Sequence, residues 1–177
     1  AGTQTYNFTP SAGQCADVTT LDITVDPQIT PTFDPVAALC QNAAAPVLPT
    51  TSTNGIAGSW SPAVSTATVG TQSYTFTPNA GECATTTTLN ITINPLPVPV
   101  ASADSVNCNG ASDGSVTVTG VSNSPSSFPG GYGYLWDDSS AQTTQTATGL
   151  DVGVYTVTVQ DLTTTCSAQT TAEVFEP

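Results

Sequence analysis

Residues 71–95 read TQSYTFTPNAGECATTTTLNITINP, and a closely similar stretch, TQTYNFTPSAGQCADVTTLDITVDP, occupies residues 3–27. The two stretches lie 68 residues apart and are identical at 16 of 25 aligned positions. A fixed unit that recurs along the chain is typical of tandem arrays of small modules. The sequence therefore predicts such an array, with a structural or adhesive role as the first hypothesis.

Apolar residues alternate with Thr or Asn inside the repeated stretch, which is the pattern of strands with one buried face. Tyr74 and Phe76 precede a turn at residues 78–81, and Ile91 and Ile93 follow it. The stretch is therefore predicted to form a strand, a turn and a second strand, and residues 3–27 are predicted to do the same.

The same alternation recurs in the rest of the chain. It predicts further strands at residues 29–33, 57–60, 64–69, 116–118, 132–136 and 155–159. We find no helical periodicity. Short strands separated by Gly and Pro turns predict an all-β fold of small Ig-like β-sandwich modules in a linear array.

Two longer units share one order of residues, namely Cys, Trp, Tyr, Cys and Pro. The members are Cys40, Trp60, Tyr74, Cys83 and Pro95 in one unit, and Cys108, Trp136, Tyr155, Cys166 and Pro177 in the other. Prolines predict the module boundaries: a C-terminal fragment of a truncated Ig-like repeat at 1–26, a complete Ig-like repeat at 27–95, and a third module at 96–177. Residues 95–99, PLPVP, are predicted to be a stiff extended linker.

The repeat also suggests how the five cysteines pair. Cys15 and Cys83 are equivalent, and Cys40 precedes Cys83 by 43 residues. We expect one disulfide in each complete module, Cys40–Cys83 and Cys108–Cys166, each tying the last strand to an early segment. The partner of Cys15 would lie 43 residues upstream of it, so Cys15 is predicted to be unpaired by truncation; a reactive thiol is the alternative. Structural disulfides predict a location outside the cytosol.

The charge pattern excludes several classes of partner. The chain has 13 carboxylates and no Lys, Arg or His. Without a cation it cannot neutralise phosphates, so we expect no nucleic-acid partner. Anionic lipid surfaces would repel the chain. The sequence has no apolar run of about 18 residues, so we expect no membrane insertion.

The sequence does not predict an enzyme. No His, Lys or Arg is present to activate a Ser or Thr nucleophile. Asp137 and Asp138 are adjacent carboxylates, but a glycosidase needs two that face each other across a bond. We expect a turn with solvated charge at this pair.

Two further kinds of site can be weighed. Calcium prefers oxygen ligands in loops, and the candidate ligands are Asn107, Asn109, Asp113 and Asp161. The alternative is that these are ordinary turn residues. We expect no other cofactor. A sugar-stacking face could be built from Trp60, Tyr132, Tyr134 and Trp136. The alternative is that aromatic residues fill the cores, and the predicted core aromatics are Trp60, Tyr74, Phe76, Trp136 and Tyr155.

The third unit contains CNGASDG at residues 108–114, YGYLW at 132–136 and GLDVGVYTVTVQD at 149–161. With these motifs it resembles the SprB repeat found in giant surface proteins of Bacteroidota, while a longer polar loop at 122–129 departs from that repeat. The second unit, with ITPTF at residues 29–33 and LPTTSTNGI at 48–56, looks like the Ig-like repeats that accompany SprB repeats. No catalytic or ligand residue carries over from the family.

The resemblance implies a segment of a cell-surface gliding-motility adhesin. Such a protein would be exported by a type 9 secretion system to the outer surface of a Gram-negative bacterium. Its partners would be adjacent repeats of the same chain and a surface polysaccharide or the substratum. Asp104-Ser105-Val106 is similar to the short O-glycosylation site of exported Bacteroidota proteins, with Ser105 as the acceptor. Two other hypotheses stay open, namely carbohydrate-binding modules of a secreted protein and a passive extracellular sheath filament.

Overall fold

The computed structural model describes residues 1–177 and contains twelve β-strands and no helix. In chain order the strands are β1 (Gly2–Phe8), β2 (Thr19–Val25), β3 (Leu39–Cys40), β4 (Gly58–Ser61), β5 (Gly70–Pro78), β6 (Thr87–Asn94), β7 (Val98–Asp104), β8 (Gly114–Ser122), β9 (Tyr132–Trp136), β10 (Thr146–Leu150), β11 (Gly153–Asp161) and β12 (Ser167–Val174). The predicted all-β class is confirmed. The structure holds no helix that could cross a membrane.

The two copies of the repeated stretch each form a pair of strands joined by a turn. β1 pairs with β2 in an antiparallel two-stranded sheet, with Tyr6 opposite Leu21. β5 and β6 are neighbours in a four-stranded sheet of order β3-β6-β5-β4. Gly13 and Gly81 occupy the equivalent turns with φ of 95° and 93°, a region that other residues rarely adopt. The repeat therefore recurs in backbone conformation as well as in sequence.

The contacts within the chain define two compact units. Unit 1 comprises Ala1–Pro35, Pro46–Val64 and Ser73–Asn90, and unit 2 comprises Val36–Ala45, Ser65–Gln72 and Ile91–Pro177. The predicted module boundaries at 26/27 and 95/96 stay predictions.

Unit 1 is centred on three aromatic rings. Phe33 lies 4.6 Å from Trp60 and 4.7 Å from Phe76, between ring centroids. β4 pairs antiparallel with β5 from Gly58↔Pro78 to Ser61↔Thr75, which brings Trp60 opposite Phe76. Leu48 and Ile56 are also buried. The preceding segment of the chain therefore packs on the apolar side chains of β5.

Unit 2 contains two three-stranded antiparallel sheets, of order β10-β8-β7 and β12-β11-β9. Side chains from both sheets form one buried cluster: Val106, Val116, Val118, Tyr132, Trp136, Ala147, Leu150, Val157, Val159 and Val174. The period-two alternation that predicted strands at 116–118, 132–136 and 155–159 corresponds to β8, β9 and β11.

Several predicted elements differ in the structure. Residues 29–33 form only a single bridge, Ile29↔Ala84, and residues 64–69 form no strand. The polar groups of Thr66 are used in loop contacts instead, because its hydroxyl donates to the carbonyl of Ala43 at 2.6 Å and its carbonyl accepts the amide of Asn42 at 3.0 Å. The predicted linker is partly sheet, since β7 begins at Val98.

The predicted disulfide pairing is wrong. Cys40 is bonded to Cys166, with their Cα atoms 5.6 Å apart, while Cys15, Cys83 and Cys108 are exposed free thiols. A disulfide requires Cα atoms roughly 4.4–6.8 Å apart, and the order of cysteines along a repeat does not specify which ones meet in space. Both bonded cysteines belong to unit 2, so unit 1 contains no disulfide.

Candidate functional site

Three of the five predicted core aromatics are almost fully buried. Tyr74, Phe76 and Trp136 are 2%, 0% and 1% exposed. Trp60 is half-buried, and its indole N–H donates to the carbonyl of Pro49 at 2.8 Å. Tyr155 is also half-buried, and its hydroxyl donates to the carbonyl of Asp151. Burial and the nearby Asp151 carboxylate raise the pKa of Tyr155.

The four residues considered as a sugar-stacking face are not one exposed surface. Tyr132 and Trp136 lie in the buried cluster of unit 2, and the indole N–H of Trp136 donates to the carbonyl of Thr144. Tyr134 is half-buried, with its hydroxyl donating to the carbonyl of Pro129, and burial raises its pKa. Buried rings cannot stack on a sugar, so Tyr132 and Trp136 serve the core.

A different surface offers a shallow groove, which we name the outer groove. It consists of two adjoining depressions of about 280 and 230 Å³ on strands β9, β11 and β12. The side chains that line it and are central to its chemistry are Leu135, Asp137, Thr158, Gln160, Ser167 and Gln169.

Alternation along β9 and β11 positions the outer groove. Leu135 is 50% exposed between the inward-facing Tyr134 and Trp136, and Leu135 lies opposite Thr158. Gln169 of β12 donates its side-chain amide to the Thr158 hydroxyl at 2.9 Å. Hydroxyl, amide and carboxylate groups beside one exposed aliphatic side chain can hydrogen-bond to neutral polar ligands. The sequence signal that could have found this surface is the polar set of alternate residues at 156, 158 and 160.

Asp161 is a carboxylate of unit 2 that has several hydrogen-bond donors. It is 0% exposed. Its carboxylate accepts the hydroxyls of Ser124 and Ser126 and the backbone amides of Thr163 and Thr164, the last two at 2.7 and 2.9 Å. Burial alone raises the pKa of this carboxyl, but the hydrogen bonds outweigh burial and hold its pKa well below the ordinary value. This arrangement makes Asp161 a structural residue.

The polar loop at residues 122–129 is held in place by these contacts. Besides the two serine hydroxyls on Asp161, the carbonyl of Ser126 accepts the hydroxyl of Tyr132 at 2.9 Å. The loop is therefore held to the end of β11 and to the start of β9. Sequence reasoning did not predict this role for its serines.

Asp137 and Asp138 lie in a turn, as predicted, but only Asp137 is solvated. Asp138 is buried and accepts the amide of Ser140 together with the backbone and side-chain amides of Gln142. Burial raises the pKa of Asp138, and these hydrogen bonds reverse the effect, so its pKa is lowered. The Asp137 carboxylate accepts the amide of Thr156 at 2.7 Å. The expectation of solvated charge was wrong for Asp138, because a tight turn directs its own amides at that carboxylate.

Two of the four candidate calcium ligands, Asn107 and Asp113, are hydrogen-bonded to each other, and the other two have different partners. The Asp113 carboxylate accepts both the backbone and the side-chain amide of Asn107, which lowers its pKa. Asn109 donates to the Glu176 carboxylate at 3.0 Å. The hydrogen bonds of Asp161 come from residues 124–126 and 163–164. The structure contains no group of three or more acidic or cysteine side chains arranged to hold a metal ion.

Ser105, the candidate glycosylation acceptor, is exposed. It follows the end of β7 and precedes Val106, which is 2% exposed. The neighbouring Asp104 carboxylate accepts the hydroxyl of Ser115 at 3.3 Å. The side chain of this candidate acceptor is therefore exposed between a hydrogen-bonded Asp104 and a buried Val106.

Comparisons with protein-family models and with curated proteins found no match for this chain.

Proposed function

We propose that this chain is a structural and adhesive repeat segment of a very large cell-surface protein, exported by a type 9 secretion system and used in gliding motility and surface attachment. In this proposal the modules are Ig-like β-sandwiches, the last of them a SprB-type repeat. Their role is to give the protein length, and many weak contacts along the array together provide attachment.

The observation that carries the proposal is the internal repeat. Sixteen identical positions of 25 recur after 68 residues, and both copies form strand pairs with matching turns at Gly13 and Gly81. In an array of modules, the sequence repeat is expected to recur as a repeat of backbone conformation. The motifs at 108–114 and 149–161 add the resemblance to adhesin repeats.

The composition supports an extracellular location for the segment. One disulfide joins Cys40 to Cys166, and the 13 carboxylates face no Lys, Arg or His. Like charges along an array favour an extended, soluble arrangement. Disulfides persist in oxidising environments.

The test is imaging of live cells of the bacterium that produces the protein. Labelled monovalent antibody fragments against residues 96–177 are followed over time, with fragments from pre-immune serum as the control. We expect label that travels along the cell surface. Stationary surface label would favour a sheath filament, and label found only in the medium would contradict the proposal.

Carbohydrate binding is the second candidate, and the outer groove is the observation that favours it. Neutral polysaccharides offer hydroxyl groups that Gln160, Gln169 and Asp137 can bind. A glycan array probed with the protein and with a Gln169→Ala variant tests this. Binding that the substitution weakens would support the outer groove, and equal binding by both proteins would exclude it as the site.

A further inference from the structure

The strand pair β1–β2 exposes an apolar face that the equivalent pair buries. Residues opposite each other in the ladder share a face, so this surface, the hairpin face, comprises Tyr6, Phe8, Leu21, Ile23 and Val25. These side chains are 45–64% exposed. Four of their counterparts, Tyr74, Phe76, Ile91 and Ile93, are no more than 2% exposed, and the fifth, Leu89, is partly buried. The same sequence pattern is therefore buried in β5–β6 and exposed in β1–β2.

The second hairpin is covered by the chain that precedes it. We name residues 27–68 the covering segment. Its Phe33 and Trp60 pack against Phe76, with ring centroids 4.7 and 5.2 Å away. These two large rings therefore contribute to the burial of Phe76.

The covering segment also pairs with both outer edges of that hairpin. β4 adds antiparallel to β5, and the amide of Asn79 donates to the carbonyl of Ala57 at 2.9 Å. At the far side of the turn the amide of Ile29 donates to the carbonyl of Cys83, and the amide of Thr85 donates to the carbonyl of Ile29. β3 runs parallel to the end of β6, with Leu39 beside Ile93.

Each of these pairing sites has a counterpart in the first hairpin. The 68-residue offset maps residues 75–78 onto 7–10, residues 83–85 onto 15–17, and residues 93–94 onto 25–26. β1 and β2 form a sheet of two strands only, so their outer edges are unpaired. An unpaired edge is a template for strand addition.

We propose that the hairpin face is a docking site for a polypeptide segment of the same sequence type as the covering segment. The occupant adds one antiparallel strand to the outer edge of β1, one parallel pairing to the end of β2, and two aromatic side chains against Phe8. Charge opposes this docking only weakly, because residues 27–68 contain a single carboxylate, Asp34, while residues 1–26 contain Asp17, Asp22 and Asp26. This interaction is independent of gliding and goes beyond the proposed function.

A second copy of this chain is a poor occupant, because the chain has fewer covering segments than repeated hairpins. Each chain has two copies of the repeated hairpin, β1–β2 and β5–β6, and a single covering segment. A segment exchanged between two copies would uncover one hairpin for every hairpin that it covers. The occupant is therefore a further segment of this type that no hairpin already holds.

The experiment joins a second copy of residues 27–68 directly ahead of Ala1 in the full chain, which keeps the 68-residue period. The matched control carries Phe33→Ala and Trp60→Ala in the added copy alone. Hydrogen exchange of the amides in residues 2–9 and 15–26 is measured for both fusions and for the natural chain. A tethered segment meets its site at a high effective concentration, so we expect exchange to slow at least tenfold in the first fusion and much less in the control.

Two results would overturn the proposal. One is equal hairpin exchange in the natural chain and the first fusion, or equal protection by both fusions. The other is concentration-dependent dimerisation of the natural chain in sedimentation equilibrium that Phe8→Ser abolishes, since the occupant would then be a second copy. Phe8 is 64% exposed, so this substitution leaves the folded core intact.

Discussion

Asp161 is a fully buried carboxylate in a chain that has no Lys, Arg or His to pair with it. A buried charge is tolerated only when its oxygens are hydrogen-bonded. Here serine hydroxyls from the 122–129 loop and amides of the following turn supply those bonds. Because the chain has no cationic side chain, neutral hydrogen-bond donors stabilise the charge of the Asp161 carboxylate.

Replacing Asp161 with Asn should destabilise unit 2 at neutral pH by about 1–3 kcal/mol, because an amide nitrogen would then face donors. The folded pKa lies below the ordinary value of 3.8. The carboxylate therefore stabilises the fold fully above about pH 5, and this contribution is lost as pH falls through the unfolded pKa toward the folded one. The free-energy difference between natural protein and variant should shrink below about pH 4.

Urea denaturation at a series of pH values, followed by Trp136 fluorescence in a Trp60→Phe background, measures that difference. Asp151→Asn is the control, since residue 151 is exposed. A difference that does not depend on pH would mean that Asp161 acts through packing and not through its charge.

The disulfide makes a second prediction about single residues. The unreduced protein should contain three free thiols, and a peptic digest should yield one linked pair of peptides containing Cys40 and Cys166. Cys40→Ser should lower the free energy of unfolding by roughly 2–5 kcal/mol, whereas Cys108→Ser should change it by less than about 0.5 kcal/mol. A peptide linking Cys40 to Cys83 would contradict the structure.

Strand β4 depends on a glycine whose backbone makes a close approach. A Cβ on Gly58 would lie 2.4 Å from the carbonyl oxygen of Thr77 and 2.5 Å from the ring of Phe76. Gly58→Ala should therefore destabilise unit 1 by about 1–3 kcal/mol, since either the strand or the aromatic ring must move. Gly120→Ala in β8 is the matched control, because a Cβ on Gly120 would have no neighbouring atom within 4 Å.

Thermal unfolding followed by calorimetry measures both glycine variants, because it detects the unfolding of unit 1, which contains Gly58, and of unit 2, which contains Gly120. The control should melt close to the natural protein. If both variants lost equal stability, the loss would reflect alanine in a strand and not the close approach at Gly58.

The elements that sequence could predict are those defined by local alternation. Tyr74, Phe76, Ile91 and Ile93 indicated β5 and β6, and Trp136 and Val157 indicated β9 and β11. The two-residue strand β3 has no periodicity of its own and exists because Leu39 pairs with Ile93. The Cys40–Cys166 bond could not be predicted for the same reason, because it depends on contacts between distant segments. Aromatic residues could not have predicted the outer groove, because Tyr134 and Trp136 along it are half-buried and buried, and its exposed apolar side chain is Leu135.

The whole molecule carries a formal charge of −13 with no cation. Repulsion among like charges destabilises a compact state, and salt shortens its range from about 30 Å at about 0.01 M to about 8 Å at about 0.15 M. The melting temperature should therefore rise by a few degrees when NaCl is raised over about this range. Calorimetry with sucrose at equal osmolarity as the control checks this, and a constant or falling melting temperature in NaCl would show that the carboxylates do not repel one another appreciably.

The Cys40–Cys166 bond also determines how the chain would respond to tension applied at Ala1 and Pro177. Force would pass along residues 1–40, cross the sulfur atoms and continue along residues 166–177. Residues 41–165 would bear no load while the bond is intact. At about 3.4 Å per extended residue, the tethered contour would be limited to roughly 180 Å instead of roughly 600 Å. A reductant would release the remaining length, so the bond acts as a covalent stop on extension.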